Sequence, residues 1–271
     1  MEKIGVDCVL LTYERRNEIC RLIETKGNVA LPDLLQRFGV SAETLRKDLI
    51  VLEKNKQLRR IHGGAIAYTT AVAHKNLSER YDTAQEQKRE LSYYAAQFVS
   101  NGDYIALESG STAAEFAEVL AEKFTDLHIV TYSNYIFQRL SQLPGFDVIL
   151  CGGKYFREED AFYGDLTLRA LRDLHVDKAF LCPGAVSLSY GLSDNDYTLF
   201  PLEMELSSIG DKNYILANSD KLEKRATFRL RDLSPKDIII TDSAVNEGIV
   251  TMYEENGMQI IRGIQNEKDH K

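Results

Sequence analysis

Hydroxyl, glycine and cationic residues occupy the positions where this chain could do chemistry, and these residue types are typical of sites that bind phosphate groups. They form two sets along the chain. The first set consists of Ser41, Thr44, Arg46, Lys47, Arg59, Arg60, His62 and Gly63. The second set consists of Ser109, Gly110, Ser111, Thr112, Ser133, Asn134, Gly152, Gly153, Lys154 and Lys221. Both sets predict binding of anions.

A predicted helix from Ala42 to about Asn55 carries the first members of the first set. Ser41 is a favourable N-cap residue for it. The apolar stripe of the helix is formed by Leu45, Leu49 and Leu52. Its other face carries Glu43, Thr44, Arg46 and Lys47. A helix that is polar and basic in its first turns and apolar behind suits a reader of the DNA major groove, although a basic face alone is more often just solvated.

The elements before this helix favour DNA binding. A helix is predicted over Tyr13–Thr25, and Pro32 opens a second one over Asp33–Phe38. Gly39 can take positive φ without steric cost and closes the turn between the second helix and the basic one.

A predicted hairpin follows the basic helix. Strands Leu58–Ile61 and Ala65–Tyr68 flank a Gly63-Gly64 turn, and the hairpin places its two arginines where DNA phosphates would lie. Val29–Leu31 is expected to pair with this hairpin. The order of elements predicts a winged helix-turn-helix domain over residues 1–68.

Composition limits the function classes. Residues 1–70 contain 12 Lys and Arg against 9 Asp and Glu, while the remainder contains 21 against 32. A basic module on an acidic body fits DNA contacts confined to one end. The four cysteines show no C-x-x-C spacing, so no disulfide framework, metal site or cofactor is expected. No long apolar run or secretory signal occurs, which predicts a cytoplasmic protein without membrane contact.

From Gln85 onward, short apolar runs alternate with helical patterns. Strands are predicted at Tyr104–Leu107, His128–Thr131, Asp147–Leu150, Lys178–Leu181, Tyr214–Ala217, Ile238–Thr241 and Gln259–Ile261. This alternation predicts an α/β domain with a mostly parallel sheet over residues 85–271, joined to the first domain by a linker at 69–84.

Three of these strands end in segments suited to an anion. Ser109–Thr112 follow the first strand, Ser133 and Asn134 follow the second, and Gly152–Lys154 follow the third. Each segment alone is more often a plain helix cap. Because ligands gather at the carboxyl ends of parallel strands, the three together predict one sugar-phosphate site.

The motifs S-x-x-T-L-R-K-D-L-x-x-L-E at 41–53 and L-x-R-x-H-G-G-A at 58–65 resemble the N-terminal domain of the DeoR family of bacterial transcriptional regulators. Arg80, Lys88, I-A-L-E-S-G-S-T at 105–112, V-T-Y-S-N at 130–134 and C-G-G-K-Y at 151–155 are similar to that family's C-terminal effector domain. The resemblance implies a ribose-5-phosphate isomerase/NagB-like fold, a double-stranded DNA operator, a phosphorylated sugar effector and a homo-oligomer.

Several residues depart from the family pattern. Lys56 stands where a glycine usually ends the basic helix, and Asn55 is expected to take the positive-φ conformation instead. Leu199 and Glu203 stand where an acidic and a basic residue are common, and Asn218 replaces an aspartate. Lys221 is retained as a phosphate partner. The departures at Leu199, Glu203 and Asn218 predict that the effector site binds a different ligand or binds its ligand more weakly.

An isomerase-like enzyme on the second domain is the alternative. The related isomerases carry a D-G-A-D-E loop, whereas this chain has Pro183–Ser187 without either acid. Asp194 and Asp196 are the only carboxylates expected nearby, as solvated loop residues, and Glu43 and Asp48 are expected to cap or pair within their own helix. The expected function is therefore a DNA-binding regulator, a repressor of a sugar-utilisation operon, and not an enzyme.

Overall fold

The computed structural model describes residues 12–26, 28–67 and 75–263, which form two compact units. One unit contains the elements before Thr70 together with Asn246–Met252, and the other contains the rest. Gly27, Tyr68 and the residues before Thr12 lie outside the described residues. Within the described ranges no helix is long and apolar enough to cross a membrane.

The elements of the first unit fold into three helices and a small sheet. In chain order they are α1 (Thr12–Lys26), β1 (Asn28–Ala30), α2 (Leu31–Phe38), α3 (Ala42–Lys54), β2 (Leu58–Ile61) and β3 (Gly64–Ala67). The helices enclose a core formed by Ile19, Ile23, Leu34, Leu45, Leu49, Leu52 and Leu58. The stripe predicted for α3 is therefore its buried face.

The three strands form an antiparallel sheet in the order β1-β3-β2. The predicted pairing of Val29–Leu31 with the hairpin is confirmed for Val29 and Ala30, but the strand begins one residue earlier, at Asn28, and Leu31 already belongs to α2. The predicted Gly63-Gly64 turn was wrong by one residue, because Gly64 pairs with Ile61 inside the hairpin. A Cβ on Gly64 would lie 2.2 Å from the Val29 carbonyl oxygen, so this glycine permits the close approach of β1.

The end of α3 corrects the expectation for Asn55. Lys56 itself takes the left-handed conformation, with φ of 57°, whereas Asn55 has φ of −83°. The Lys56 amide donates to the Glu53 carbonyl at 2.9 Å, and the Gln57 amide donates to the Leu52 carbonyl at 3.0 Å. This pair of bonds is a Schellman motif, which fixes positive φ at the first residue beyond the cap.

Lys56→Gly is therefore expected to stabilise the first unit by about 0.5–1 kcal/mol, since glycine adopts positive φ without the steric cost that a side chain imposes. Urea unfolding followed by circular dichroism measures the gain. Asn55→Gly is the matched control, and it should not stabilise because Asn55 has negative φ. Equal effects of the two substitutions would contradict this explanation.

The second unit contains the large sheet. Its helices are α4 (Leu77–Asp82), α5 (Gln85–Ala95), α6 (Ser111–Lys123), α7 (Asn134–Leu140), α8 (Asp165–Arg172) and α9 (Phe200–Ile209). The last helix of the described residues, α10 (Glu247–Glu255), begins in the Asn246–Met252 segment that belongs to the first unit. Its strands are β4 (Tyr104–Leu107), β5 (Leu127–Thr131), β6 (Phe146–Leu150), β7 (Lys154–Phe156), β8 (Ala161–Tyr163), β9 (Val176–Leu181), β10 (Ala185–Ser187), β11 (Gly191–Asp194), β12 (Gly210–Leu216), β13 (Phe228–Arg231), β14 (Asp237–Thr241) and β15 (Gln259–Arg262). Helix α4 falls within the range predicted as linker.

Seven of the strands form one sheet in the order β15-β14-β12-β9-β4-β5-β6, and every pairing in it is parallel. The predicted α/β class with a mostly parallel sheet is confirmed. The antiparallel sheet β10-β11-β13 and the hairpin β7-β8 were not predicted. Buried aromatic rings fill the space beside the sheet, and the ring centroids of Phe116 and Tyr214 lie 4.7 Å and 4.9 Å from that of Phe180.

The strand order reverses direction at β4. From β4 the chain continues to β5 and β6 on one side, and it then crosses to β9 and β12 on the other side. At the carboxyl ends of β4 and β9, the loops that follow these two strands therefore run in different directions. In open α/β sheets such a reversal creates the crevice in which ligands bind.

Candidate DNA interface and anion site

Helix α3 begins as the sequence predicts. Gly39 takes φ of 61° and closes the turn after α2. The Thr44 amide donates to the Ser41 hydroxyl at 3.2 Å, so Ser41 caps the helix and orients its first turn. Arg46 and Lys47 are exposed, and the Lys47 ammonium lies 3.7 Å from Glu43 of the same helix. The first two turns thus present cations to solvent, as a groove-reading helix requires.

Asp48 does not pair within its own helix, and that expectation was wrong. Its side chain is 2% exposed, and its two carboxylate oxygens accept hydrogen bonds from the Nε atoms of Arg15 and Arg16, each at 2.7 Å. Both arginines belong to α1. The pairing fixes α3 against α1.

The hairpin presents a mixed surface. His62 and Gly63 are exposed at its tip, where Gly63 takes φ of 75°. Arg60 donates its backbone amide and its Nε to the two carboxylate oxygens of Glu53, at 2.8 Å and 2.7 Å. Arg59 is partly buried. The bonds to Glu53 orient the Arg60 side chain, and a DNA phosphate would have to share or replace them.

The loop after β4 forms the start of the anion site. Gly110 takes φ of 105° and precedes α6, and Ser109, Ser111 and Thr112 are all more than nine-tenths buried. A Cβ on Gly110 would lie 3.9 Å from Nη1 of Arg80. The free amides at the start of α6 and the Arg80 guanidinium thus lie side by side, which is favourable for an anion.

Lys88 at this site is affected by the positive charges of Arg80 and Lys221. Lys88 of α5 is 5% exposed, and its ammonium donates to the Arg80 carbonyl. Burial, and then the charges of Lys221 and Arg80, lower the pKa of Lys88 to about 8. An open cleft lined by Lys88, Ser111 and Tyr135 among others gives access from solvent. A bound anion would relieve the repulsion among the three cations.

The turn after β9 connects the cations to a group of acids. The Cys182 amide donates to Glu108 at 2.8 Å, the Lys221 ammonium donates to the Pro183 carbonyl at 2.8 Å, and the Gly184 amide donates to Asp194 at 2.7 Å. Three charged side chains therefore contact three consecutive residues. Because Glu108 follows β4 and the turn follows β9, this group occupies the crevice between those strands.

The remaining predicted effector residues lie on the neighbouring strands. Ser133 caps α7, and Asn134 donates its side-chain amide to Asp160 at 2.9 Å. Gly152 is exposed with open space beside it, but a Cβ on Gly153 would lie 2.2 Å from the Thr167 hydroxyl, so Gly153 serves packing. Lys154 is exposed, and its ammonium lies 5.5 Å from the centroid of the Tyr163 ring. Of the predicted effector residues, Lys221 hydrogen-bonds to the turn after β9.

The expectation that Asp194 and Asp196 are solvated and are the only nearby carboxylates was wrong. Asp194 accepts from Gly184, and Asp196 accepts from the Thr198 amide at 2.5 Å. Glu108 and Glu203 are closer to the crevice and almost fully buried. Burial raises the pKa of Glu108 to about 8, with a smaller increase from Asp194.

One signal in the sequence could have identified part of this group. Lys88 lies three residues before Leu91 of the apolar face of α5, and a cation on a buried stripe indicates a functional or paired charge. Glu203 gave no such signal, because its burial depends on how α9 packs against distant strands.

The comparisons with known proteins agree with this architecture. Residues 83–243 match the DeoR C terminal sensor domain, and residues 15–71 match the DeoR-like helix-turn-helix domain. The HTH-type transcriptional regulator YulB of Bacillus subtilis is 29% identical over 251 residues, which are 93% of this chain and 96% of that protein. The lactose phosphotransferase system repressor of Streptococcus mutans is 32% identical, covering 84% of this chain and 91% of that protein.

Among solved structures, ribose 5-phosphate isomerase A from Methanocaldococcus jannaschii is similar over 52% of this chain and 55% of that chain, with 18% identity and a TM-score of 0.37. This degree of similarity does not establish a shared activity. The curated relatives are transcriptional regulators, which supports the prediction that the chain is not an enzyme. The two domain matches, which together span most of the sequence, show that the chain belongs to the DeoR family of helix-turn-helix transcriptional regulators.

Proposed function

We propose that this regulator represses a sugar-utilisation operon and that a phosphorylated sugar, bound in the crevice beside β4 and β9, controls its hold on operator DNA. The lactose phosphotransferase system repressor and the glycerol-3-phosphate regulon repressor of Haemophilus influenzae, which is 26% identical over 91% of this chain and 95% of that protein, are relatives whose names point to such operons. The regulator acts in the cytoplasm as a homo-oligomer. One small DNA-binding module contacts too few base pairs to define a unique site in a genome, whereas two modules on paired half-sites can define one.

One observation carries the effector part of this proposal. Arg80, Lys88 and Lys221 converge beside the start of α6, and the lowered pKa of Lys88 reflects burial together with their mutual repulsion. Arg80 is also paired with Glu159, whereas the ammonium groups of Lys88 and Lys221 donate to backbone carbonyls. A phosphate dianion would add negative charge beside these two lysines and accept hydrogen bonds from the amides at the start of the helix. The predicted residues Ser109–Thr112 frame this position, and Ser133 and Asn134 open the helix after the adjacent strand β5.

The DNA part rests on the exposed first turns of α3. Arg46→Ala is expected to cost about 1–3 kcal/mol of specific binding free energy if Arg46 reads a guanine. Lys54→Ala is the control, since it removes one exposed cation from the last turn of the same helix. Footprinting on the regions upstream of its own gene and of neighbouring sugar genes, with excess competitor DNA, identifies the operator, and a titration then gives the two affinities. Equal losses for both variants would contradict readout by Arg46.

The effector is tested on the same operator. Sugar phosphates are titrated against the complex of protein and DNA, and an effector is one that changes operator occupancy. Lys221→Met should retain operator binding but lose the response by about tenfold or more, because a charge-assisted bond to phosphate is removed. Lys212→Met, an exposed lysine in β12, should respond normally. If no sugar phosphate changes occupancy, the effector proposal fails.

A further inference from the structure

Carboxyl groups crowd one side of the anion site. Glu108 and Asp194 hold the turn after β9, and Glu203 of α9 lines the same small cavity as Glu108 and Pro183. Glu203 is 5% exposed. Burial, followed by the like charges of Glu108 and Asp194, raises the pKa of Glu203 well above its usual value. Carboxyls removed from water in this way need a positively charged or hydrogen-donating partner.

Among these carboxyls, Oε2 of Glu203 is buried and unpartnered within the ranges that the structure describes. Tyr132 follows β5 and is fully buried, and after burial the charges of Glu108 and Glu203 raise its pKa, while hydrogen bonding with Ser109 lowers it. Buried polar atoms are nearly always hydrogen-bonded in folded proteins. The exception at Glu203 indicates a partner that a ligand supplies.

No group of three or more His, Cys, Asp or Glu residues in the described part of the chain is placed to hold a metal ion. Arg231 lines the same cavity but is paired with Asp237 at 2.8 Å, and the cations of the anion site lie across the turn. Lys221 bonds to Pro183, between the residues that bond to Glu108 and Asp194. The crevice therefore has a cationic part and an acidic part separated by a single turn.

We propose that the effector is a phosphorylated sugar that carries a free amino group, with its phosphate at Lys88, Arg80 and Lys221 and its ammonium at Glu203 and Glu108. This inference rests on the proposed effector function, since the phosphate position is the same. An ammonium group donates three hydrogen bonds and can satisfy Glu203 together with Glu108, whereas a sugar hydroxyl donates one. Its charge also favours the ionised form of these carboxyls, which burial otherwise keeps protonated.

Matched pairs of ligands test the amino group. Glucosamine 6-phosphate is compared with glucose 6-phosphate, and galactosamine 6-phosphate with galactose 6-phosphate, by calorimetric titration of the full chain. In at least one pair the amine should bind about tenfold or more tightly than the hydroxyl analogue, as expected for one charge-assisted contact. The N-acetylated derivative should lose this advantage, because its amide is uncharged.

Glu203→Gln identifies the residue responsible. It should abolish the preference for the amine while leaving the affinity for the hydroxyl analogue within about twofold, since the phosphate contacts are unchanged. Glu205→Gln is the control on the same helix, where Glu205 pairs with Arg172 at 2.9 Å, and it should retain the preference. Operator binding and circular dichroism verify that both variants are folded.

Two outcomes overturn the inference, and they distinguish its failure from a failure of the proposed control by a phosphorylated sugar. If a hexose 6-phosphate binds as tightly as its amine, or if Glu203→Gln keeps the preference, the amino group is not recognised although the effector function stands. If neither member of any pair binds and inorganic phosphate does not bind either, the effector function itself fails, and this inference fails with it.

Discussion

Asp48→Asn is expected to destabilise the first unit by about 3–5 kcal/mol, the usual consequence of removing one partner of a buried ion pair. The asparagine keeps the shape of the side chain but removes the negative charge that faces two guanidinium groups. Arg15 is 4% exposed and cannot recover full hydration without moving α1. Since small domains are stable by only about 5–15 kcal/mol, this loss would remove a large share of the free energy of unfolding of the first unit.

Amide hydrogen exchange of the full chain measures the loss of stability separately for each unit. Amides of α1 and α3 should lose protection, whereas amides of the seven-stranded sheet should not. Glu43→Gln is the matched control, because its pair with Lys47 is exposed on both sides and such pairs contribute about 0.5 kcal/mol or less. A loss below about 1 kcal/mol for Asp48→Asn would mean that α1 adjusts to solvate its arginines.

The buried face of α3 could be predicted from the sequence, but the partners of Asp48 could not. The stripe Leu45, Leu49 and Leu52 has a period that belongs to α3 alone, so the helix and its buried face could be predicted from neighbouring residues. The partners of Asp48 lie 32 and 33 positions earlier, on α1, and no local pattern connects them. The neighbours of Asp48 along the chain predict instead a cap or a pair within α3.

The same distinction holds in the second unit. The strands and the loops that follow them could be predicted, because each apolar run and each Ser, Thr or Gly segment is local. The strand order could not be predicted, and it is this order that brings the loop after β4 beside the turn after β9. Lys88, Glu108 and Glu203 therefore became members of one group only in the folded chain.

The stability of the second unit should fall as the pH rises from about 4.5 to about 8 because of Glu108, and the raised pKa of Glu203 acts in the same direction. Its carboxyl keeps a proton in the folded state up to about pH 8, whereas the unfolded chain releases that proton near pH 4.5. The folded state therefore binds more protons between these values, and raising the pH favours unfolding. The difference amounts to a few kcal/mol in order of magnitude, since one pKa unit corresponds to about 1.4 kcal/mol.

Lys88 gives the opposite slope at higher pH. Its folded pKa of about 8 lies below the ordinary value of 10.5, so the unfolded chain binds more protons between pH 8 and 10.5 and stability rises there. The two groups together predict a minimum of stability near pH 8. Because a bound anion favours the charged form of Lys88, inorganic phosphate should stabilise the unit near the minimum and flatten the rise beyond it.

Unfolding of the full chain in urea across pH 4.5–9.5, followed by exchange of the sheet amides, tests the Glu108 slope directly. Glu108→Gln retains an acceptor for the Cys182 amide but does not titrate, so the decline towards pH 8 should become much shallower. Glu158→Gln, at an exposed position, should leave the curve as it is. An unchanged decline in the Glu108 variant would mean that Glu108 is not the group responsible, and that another buried carboxyl with a raised pKa, such as Glu203, keeps its proton in the folded state.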